Sequence, residues 1–144
     1  MNARAEIALV RFVEENLRRP FVWGRRDCNT FVLEALDAAC AGTSHLAAKI
    51  IGQYSTALGA MRYRLRSPWG SLYNLLRDAG CIEIQAGYQQ IGDIVIVPDR
   101  RWEQAHICLG ATVASVDFAL GVHIYPIAQL QRPYSVWRFP CPLQ

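Results

Sequence analysis

Several common sequence features are absent from this chain. There is no C-x-x-C pair among its five cysteines, and no uninterrupted apolar run approaches the roughly 18 residues that a membrane-spanning helix requires. The first absence argues against a zinc knuckle or an iron–sulfur site, so we expect no metal and no cofactor. The second argues against a membrane span.

The cysteines also give no sign of a disulfide framework. Their number is odd and their spacings are wide, which favours reduced thiols and folding in a reducing interior. We interpret four of them as buried packing residues: Cys40, Cys81, Cys108 and Cys141.

The charged residues are few and mixed in sign. They make up 19% of the chain, with a net charge of +3, and 14 of the 15 basic residues are arginines. The arginines are scattered and do not form the continuous basic stripe of a nucleic-acid surface, so we expect no nucleic-acid partner. They include the pairs Arg18–Arg19, Arg25–Arg26 and Arg100–Arg101 and the run Arg62, Arg64, Arg66.

The N-terminal segment MNARAEIALVRFVEENLRR does not read as a secretion signal. Acidic residues interrupt its apolar stretch, and no small-residue cleavage site follows. If the protein acts outside the cell that made it, we expect another route to carry it there. With 144 residues, 52% of them hydrophobic, the chain is most simply a single domain spanning residues 1–144.

The first half of the chain has helical periodicity. Apolar residues three or four positions apart predict an amphipathic helix that ends before Pro20. Asp27 is a suitable N-cap for a second helix that runs to Cys40. Segments 44–66 and 67–80 predict shorter helices, with a break around Gly52 and an end at Gly80.

The second half consists of short segments rich in valine, isoleucine and aromatic residues, separated by glycine or proline. They are CIEIQ, GDIVIVP, HICLGATVASVDFAL, GVHIYPI and YSVWRF. Helices followed by sequential strands predict the α+β class, with N-terminal helices packed on a C-terminal antiparallel sheet of about five strands.

Cys28 is the cysteine whose position suggests chemistry. As the first residue of the second helix, it would meet unpaired backbone N–H groups and the positive end of the helix dipole. With Arg25 and Arg26 nearby, we expect the pKa of its thiol to be lowered and the thiolate to be nucleophilic near neutral pH. The ordinary alternative is an inert buried thiol, the commoner state of a helical cysteine.

A cysteine nucleophile needs a base, most often a histidine. The chain has three histidines. His45 lies in the polar turn GTSH and is interpreted as a solvated loop residue, whereas His106 and His123 lie in apolar strands. A strand histidine is more often a hydrogen-bonded core residue than a base, so no single residue selects the chemistry.

The order of three motifs does select a family. PFVWGRRDCNTFV carries Trp23, Gly24, Asp27 and Cys28, and is followed by GDIVIV and then by HICLG, which begins with His106. In this order the motifs resemble those of the NlpC/P60 family of papain-like cysteine peptidases. DCNTFVLEAL, GQYSTALGAMRYRL and the late YSVWRF look more narrowly like a small group of NlpC/P60-like proteins encoded in phage tail modules. The resemblance covers about residues 20–139.

The resemblance implies a papain-like α+β domain in which a cysteine opens a helix beside a histidine on the sheet. Cys28 would be the nucleophile, His106 the base and Asp117 the group that orients it, with Trp23, Arg25 and Asp27 at the substrate groove. The family's substrates imply cleavage of amide bonds in peptidoglycan stem peptides. A phage tail protein would do this during host entry, after synthesis in the bacterial cytoplasm and assembly into the virion.

The chain departs from the family pattern at several positions. Asn29 and Thr30 replace the family's Ser-Gly, and Phe21 stands where a tyrosine is frequent. Alignment of the following Leu-Gly without a gap places Gln104 at the base position, although strand alternation keeps residues 104 and 106 on one face. Ser115, Asp117 and His123 are all candidates for the orienting group.

Two functions of different classes remain open. The first is an active cysteine endopeptidase or amidase that acts on peptidoglycan peptide. The second is a structural or adaptor subunit of a phage tail tip that keeps the fold without the chemistry. Its arginine-paired surface and the apolar tail RFPCPLQ would suit contacts with other tail-tip proteins.

Overall fold

The computed structural model describes residues 1–99 and 103–141. The pair Arg100–Arg101 and the last three residues of the apolar tail therefore lie outside the described residues. Within the described chain, four α-helices precede a sheet of six strands, which confirms the α+β class. None of the described helices has the length and apolar character needed to cross a membrane.

The helices follow the predicted order. The first, α1, is capped by the Asn2 side chain and ends well before Pro20, and the second begins at Cys28 as predicted. The segment around Gly52 contains a short 3-10 turn, Ala47–Lys49, before the third helix begins. The four helices are α1 Ala3–Asn16, α2 Cys28–Ala39, α3 Ala57–Arg66 and α4 Leu72–Asp78.

The sheet has six antiparallel strands, where the sequence predicted about five. The long segment HICLGATVASVDFAL forms two strands rather than one, because the chain reverses at Gly110, whose φ of +108° favours glycine. The strands are β1 Ile82–Ile84, β2 Ile94–Val97, β3 Gln104–Cys108, β4 Thr112–Asp117, β5 Gly121–Pro126 and β6 Ser135–Arg138, in the order β1-β6-β2-β3-β4-β5.

Helix α2 forms the centre of the fold. It packs on one face of the sheet against β3 and β4, and the core on that face includes Ile96, Ile107 and Ala114. The opposite face carries Val95, Cys108 and Val136, which are covered by the segment that precedes β6. Since successive strand residues alternate between faces, this division decides where each strand side chain points.

The expectation that no cysteine would form a disulfide is wrong. Cys40, at the end of α2, is joined to Cys141, just after β6, and both are buried. The two are 101 residues apart, so their spacing in sequence carries no information about their proximity in the fold. Cys28, Cys81 and Cys108 are free thiols, and because two of the five cysteines are paired, the cysteines no longer indicate folding in a reducing interior.

Candidate active site

The turn from Trp23 to Cys28 is built around the Asp27 carboxylate. Its Oδ1 accepts from the Thr30 backbone N–H at 2.9 Å, and the Thr30 hydroxyl accepts from the Asp27 N–H at 2.9 Å. Its Oδ2 accepts from the Gly24 N–H at 3.0 Å and from the Tyr54 hydroxyl at 2.6 Å. Asp27 is thus the predicted N-cap, and its carboxylate is engaged in holding the turn.

Gly24 is required by the shape of this turn. Its φ is +74°, and a Cβ at this position would lie 1.7 Å from the Tyr54 carbonyl oxygen. The Gly24 carbonyl also accepts from the Gly52 N–H at 3.0 Å. Gly24 therefore lets the loop that carries Tyr54 approach the start of α2.

Cys28 is half-buried at the first position of α2. Its thiol donates to Asn29 Oδ1 at 3.6 Å and lies 3.8 Å from the Glu103 carbonyl oxygen. Burial, and after it the charge of Asp27, raises the pKa of this thiol to about 12. The expectation of a lowered pKa is therefore wrong for this conformation, and the Cys28 thiol is protonated near neutral pH.

The two arginines expected beside the thiol are engaged elsewhere. Arg25 Nη1 lies 2.5 Å from Glu34 Oε1, and Arg26 Nη1 donates to the Pro20 carbonyl at 3.1 Å. Arg25 is also outside the set of residues that line the pocket next to Cys28. Desolvation of the thiol consequently outweighs the helix terminus as the main influence on its charge.

His106 lies on β3, directly opposite Val95 of β2, and is only 2% exposed. Its Nδ1 is 3.2 Å from the Val95 carbonyl oxygen. Since a carbonyl only accepts, Nδ1 carries the proton and Nε2 is the ring nitrogen with a lone pair. Burial lowers the pKa of His106 to about 4, so the imidazole is neutral at pH 7.

Within the described residues, no hydrogen bond joins Cys28 to His106. The reason is the strand register. Helix α2 packs on the face of Ala105 and Ile107, whereas His106 points to the opposite face with Val95. The thiol meets β3 at its beginning, against Glu103 and next to Gln104, which shares the face of His106.

The three candidates for the orienting group have different partners. The Ser115 hydroxyl donates to the Ala105 carbonyl at 2.7 Å. Asp117 lies at the end of β4, with its Oδ2 3.6 Å from Nε2 of His123 and its Oδ1 accepting from the Leu120 N–H. The Nδ1 of His123 is 3.1 Å from the Gly121 carbonyl. The structure thus places Asp117 beside His123 on β5.

One open pocket, with a volume of about 210 Å³, connects these groups. Of the residues predicted from sequence, it is lined by Trp23, Asp27, Cys28, His106 and Asp117, together with Ser115, His123 and Gln104. Sequence reasoning missed most of its aromatic wall. The missed aromatic residues are Tyr54, Tyr63, Trp69, Phe118 and Tyr125.

A sequence signal for one of these residues was available. Strand alternation along GVHIYPI places His123 and Tyr125 on one face, and the Tyr125 ring indeed stacks on His123 at 5.0 Å between centroids. It also meets His106 edge-on at 5.7 Å. Tyr54, Tyr63 and Trp69 lie outside the strands, in segments to which the sequence analysis assigned no role at the site, so their position at the pocket depends on the tertiary fold.

The outer wall of the pocket is formed by α3 and the 3-10 turn Pro68–Gly70. Arg64 on α3 reaches across to Glu103, with Nη2 and Oε1 2.9 Å apart. Because Glu103 also presents its carbonyl to the Cys28 thiol, this ion pair connects the outer wall to the immediate surroundings of the thiol.

The family comparison matches residues 2–136 to a domain of unknown function, DUF6950. This is nearly the whole chain, and the protein therefore belongs to that family. Comparisons with curated proteins and with solved structures gave no match.

Proposed function

We propose that this DUF6950 protein is a cysteine-dependent hydrolase of amide bonds, with Cys28 as nucleophile and His106 as base. The observation that carries the proposal is that a cysteine at a helix N-terminus and a histidine with an available Nε2 line the same open pocket. These are the groups that a thiol-based acyl transfer requires.

The reaction would begin from a neutral pair. The Cys28 Sγ attacks the amide carbonyl while its proton passes to His106 Nε2, and the resulting imidazolium protonates the leaving amine. Water then attacks the thioester and gives one proton to His106, the carbon–sulfur bond breaks to release the acid, and the imidazolium returns that proton to the departing Cys28 sulfur, which restores the neutral pair. Because no hydrogen bond joins Cys28 to His106 in the described structure, this reaction requires the thiol to turn from the Asn29 and Glu103 oxygens towards His106 Nε2.

The proposed substrate is a peptidoglycan stem peptide. Support comes from the Trp-Gly-x-x-Asp-Cys, Gly-Asp-Ile-Val and His-Ile-Cys-Leu-Gly motifs, which occur in the order seen in NlpC/P60 peptidases. The capped turn before Cys28 and the packing of α2 on an antiparallel sheet are compatible with a papain-like domain. We further propose that the protein is a component of a phage tail and contacts other tail-tip proteins in the virion.

A second candidate is a structural subunit of the tail tip that does no chemistry. It is favoured by the lack of a hydrogen bond between Cys28 and His106 in the described structure and by the raised pKa of the thiol. Helix α3 also presents Leu58, Met61 and Leu65 to solvent, and such a stripe of exposed apolar residues is typical of a contact surface.

The deciding experiment combines digestion with trapping. The full chain is incubated with purified peptidoglycan and with soluble stem peptides, and mass spectrometry records new termini and any acyl adduct on Cys28. We expect cleavage by the wild type, loss of cleavage in Cys28→Ala, and a loss of at least about a hundredfold in His106→Gln, as for removal of a general base.

Thiol reactivity supplies the control. With Cys81 and Cys108 replaced by serine and the Cys40–Cys141 disulfide left intact, Cys28 is the only free cysteine. We expect slow alkylation by iodoacetamide at pH 7 and acceleration by a bound stem peptide. No cleavage by the wild type, together with alkylation that is indifferent to peptide and to His106→Gln, would establish the structural role.

A further inference from the structure

The charge of the pocket is opposite to that of the chain. Its described lining includes three carboxylates, of Asp27, Glu103 and Asp117, and one guanidinium, of Arg64, so its formal charge is 1 − 3 = −2 with neutral histidines. The whole chain has a net charge of +3. A concave site with this reversal of sign favours a cationic ligand over an anionic one.

Only one of the three carboxylates is open to a ligand. Asp27 is buried, and its two oxygens accept from Gly24, Thr30 and Tyr54. Glu103 is buried and paired with Arg64. The Asp117 side chain, in contrast, is 45% exposed, and a carboxylate with a single backbone donor and a histidine at 3.6 Å has lone pairs left for another donor.

Aromatic rings line the pocket together with Asp117. Phe21, Trp23 and Phe118 form a trio whose ring centroids lie 4.3 to 5.5 Å apart. Phe118 directly follows Asp117 in sequence and remains 67% exposed, although it is a large apolar residue. An open aromatic ring near a carboxylate attracts alkylammonium groups, which combine positive charge with apolar methylene or methyl surface.

We propose that Asp117 and the Phe21–Trp23–Phe118 trio form a subsite that binds an alkylammonium group of the ligand. This assigns Asp117 to recognition, in agreement with its position beside His123. If the proposed hydrolase function holds, the subsite selects substrates that carry an amine near the scissile amide. That extension rests on the proposed function, whereas binding of the ammonium group does not.

The test uses choline and its uncharged isostere 3,3-dimethylbutan-1-ol as probes. Both are titrated into the full chain, and binding is followed by amide chemical shifts in ¹H–¹⁵N NMR spectra. We expect choline to shift the amides of Asp117 and Phe118 and to bind at least about tenfold more tightly than the neutral probe, since only choline gains from charge and cation–π attraction.

Variants separate charge from shape. Asp117→Asn keeps the oxygen that accepts from the Leu120 N–H and removes the charge, so we expect choline affinity to fall at least about tenfold with an unchanged fold. Asp78→Asn, an exposed site on α4 outside the pocket, makes the same charge change and leaves affinity unaltered. Phe118→Ala weakens choline binding by removing the open ring.

The outcomes are distinct from those of the hydrolase assay. Cys28→Ser abolishes cleavage but keeps choline binding, so an inactive protein that binds choline leaves the subsite intact. Equal binding of both probes would show an apolar pocket without charge recognition and overturn the proposal. It is overturned equally by undiminished binding in Asp117→Asn or by no choline binding at millimolar concentration.

Discussion

Helices α2 and α3 both border the pocket, but they are held in place by different means. Seven residues of α2 are buried, whereas α3 buries none. Helix α2 therefore fixes Cys28 relative to the sheet through the hydrophobic core. Helix α3 forms the opposite wall and lies at the protein surface. We therefore expect the free energy of local unfolding to be higher for α2 than for α3. The seven buried residues of α2 are Thr30, Phe31, Val32, Leu33, Ala35, Leu36 and Ala39.

Local contacts hold α3 in the absence of core burial. Gly70 lies so close that a Cβ there would be 2.2 Å from the Arg64 Cα. The Tyr63 ring packs 5.7 Å from that of Tyr54, and Arg64 pairs with Glu103. Because α3 itself has no buried residue and Tyr63 is only partly buried against the core, we expect α3 to open more readily than α2.

The largest expected difference is in the free energy of unfolding when one leucine on each helix is replaced by alanine. Leu33 on α2 is fully buried and Leu65 on α3 is 87% exposed. Leu33→Ala should lower the free energy of unfolding by about 3–4 kcal/mol, because it removes buried methyl groups and leaves a cavity. Leu65→Ala should change it by less than about 0.5 kcal/mol. Urea denaturation of both variants measures this, and similar losses would contradict the contrast.

The second expected effect is a pH dependence of stability caused by the burial of His106 on β3. Burial lowers the pKa of His106 to about 4, against an ordinary value of 6.5 for histidine. Between these pH values the unfolded chain binds a proton that the folded protein does not. The contribution of the neutral His106 imidazole to the free energy of unfolding is therefore fully present above pH 6.5 and is lost as the pH falls towards 4. The contribution amounts to at most about 3 kcal/mol.

His106→Gln isolates this effect, because glutamine can donate to the Val95 carbonyl but does not titrate. We expect the wild type to lose more stability than His106→Gln between pH 6.5 and 4, as measured by urea denaturation at each pH. Parallel pH profiles for the two proteins would show that the His106 imidazole is not desolvated in solution.

The smallest expected difference lies at the two helix caps. Asp27 caps α2 from a buried position, whereas Thr56 caps α3 at the surface through its bond from the Gly59 N–H. Asp27→Ala removes the cap and also the acceptor of Gly24 and Tyr54, so it should cost about 2–3 kcal/mol. Thr56→Ala should cost about 1 kcal/mol or less. Thermal unfolding of the Asp27→Ala and Thr56→Ala variants measures the two losses of stability. A larger loss for Thr56→Ala would contradict the expectation that α2 is held more firmly than α3.

Much of the fold was predictable because it depends on local patterns. The Asp27 cap, the start of α2 and the end of α1 before Pro20 follow from residue types at fixed offsets. The change from helical to strand periodicity predicted the α+β class, and the sheet gained its sixth strand only because Gly110 divides one apolar segment in two. The Cys40–Cys141 disulfide was missed, since no local pattern reports contacts 101 residues apart.

The candidate site divides in the same way. The order of the sequence motifs identified Cys28, His106 and Asp117 as candidate site residues, and all three line one pocket. Their charges and contacts did not follow from sequence: the thiol pKa is raised, and Asp117 lies beside His123. A pKa depends on desolvation and on every nearby charge, which residue spacing does not record.

The sequence by itself determined that Cys28 opens a capped helix, because capping depends on hydrogen bonds within a few residues. It also determined that His106 and Gln104 share one face of a strand, because strand side chains alternate. Only the tertiary structure decided that α2 packs on the face of β3 opposite to His106, and that the Cys28 thiol hydrogen-bonds to Asn29 and Glu103 rather than to the imidazole. The choice between faces is made by the burial of apolar surface across the whole domain, and no local interaction encodes it.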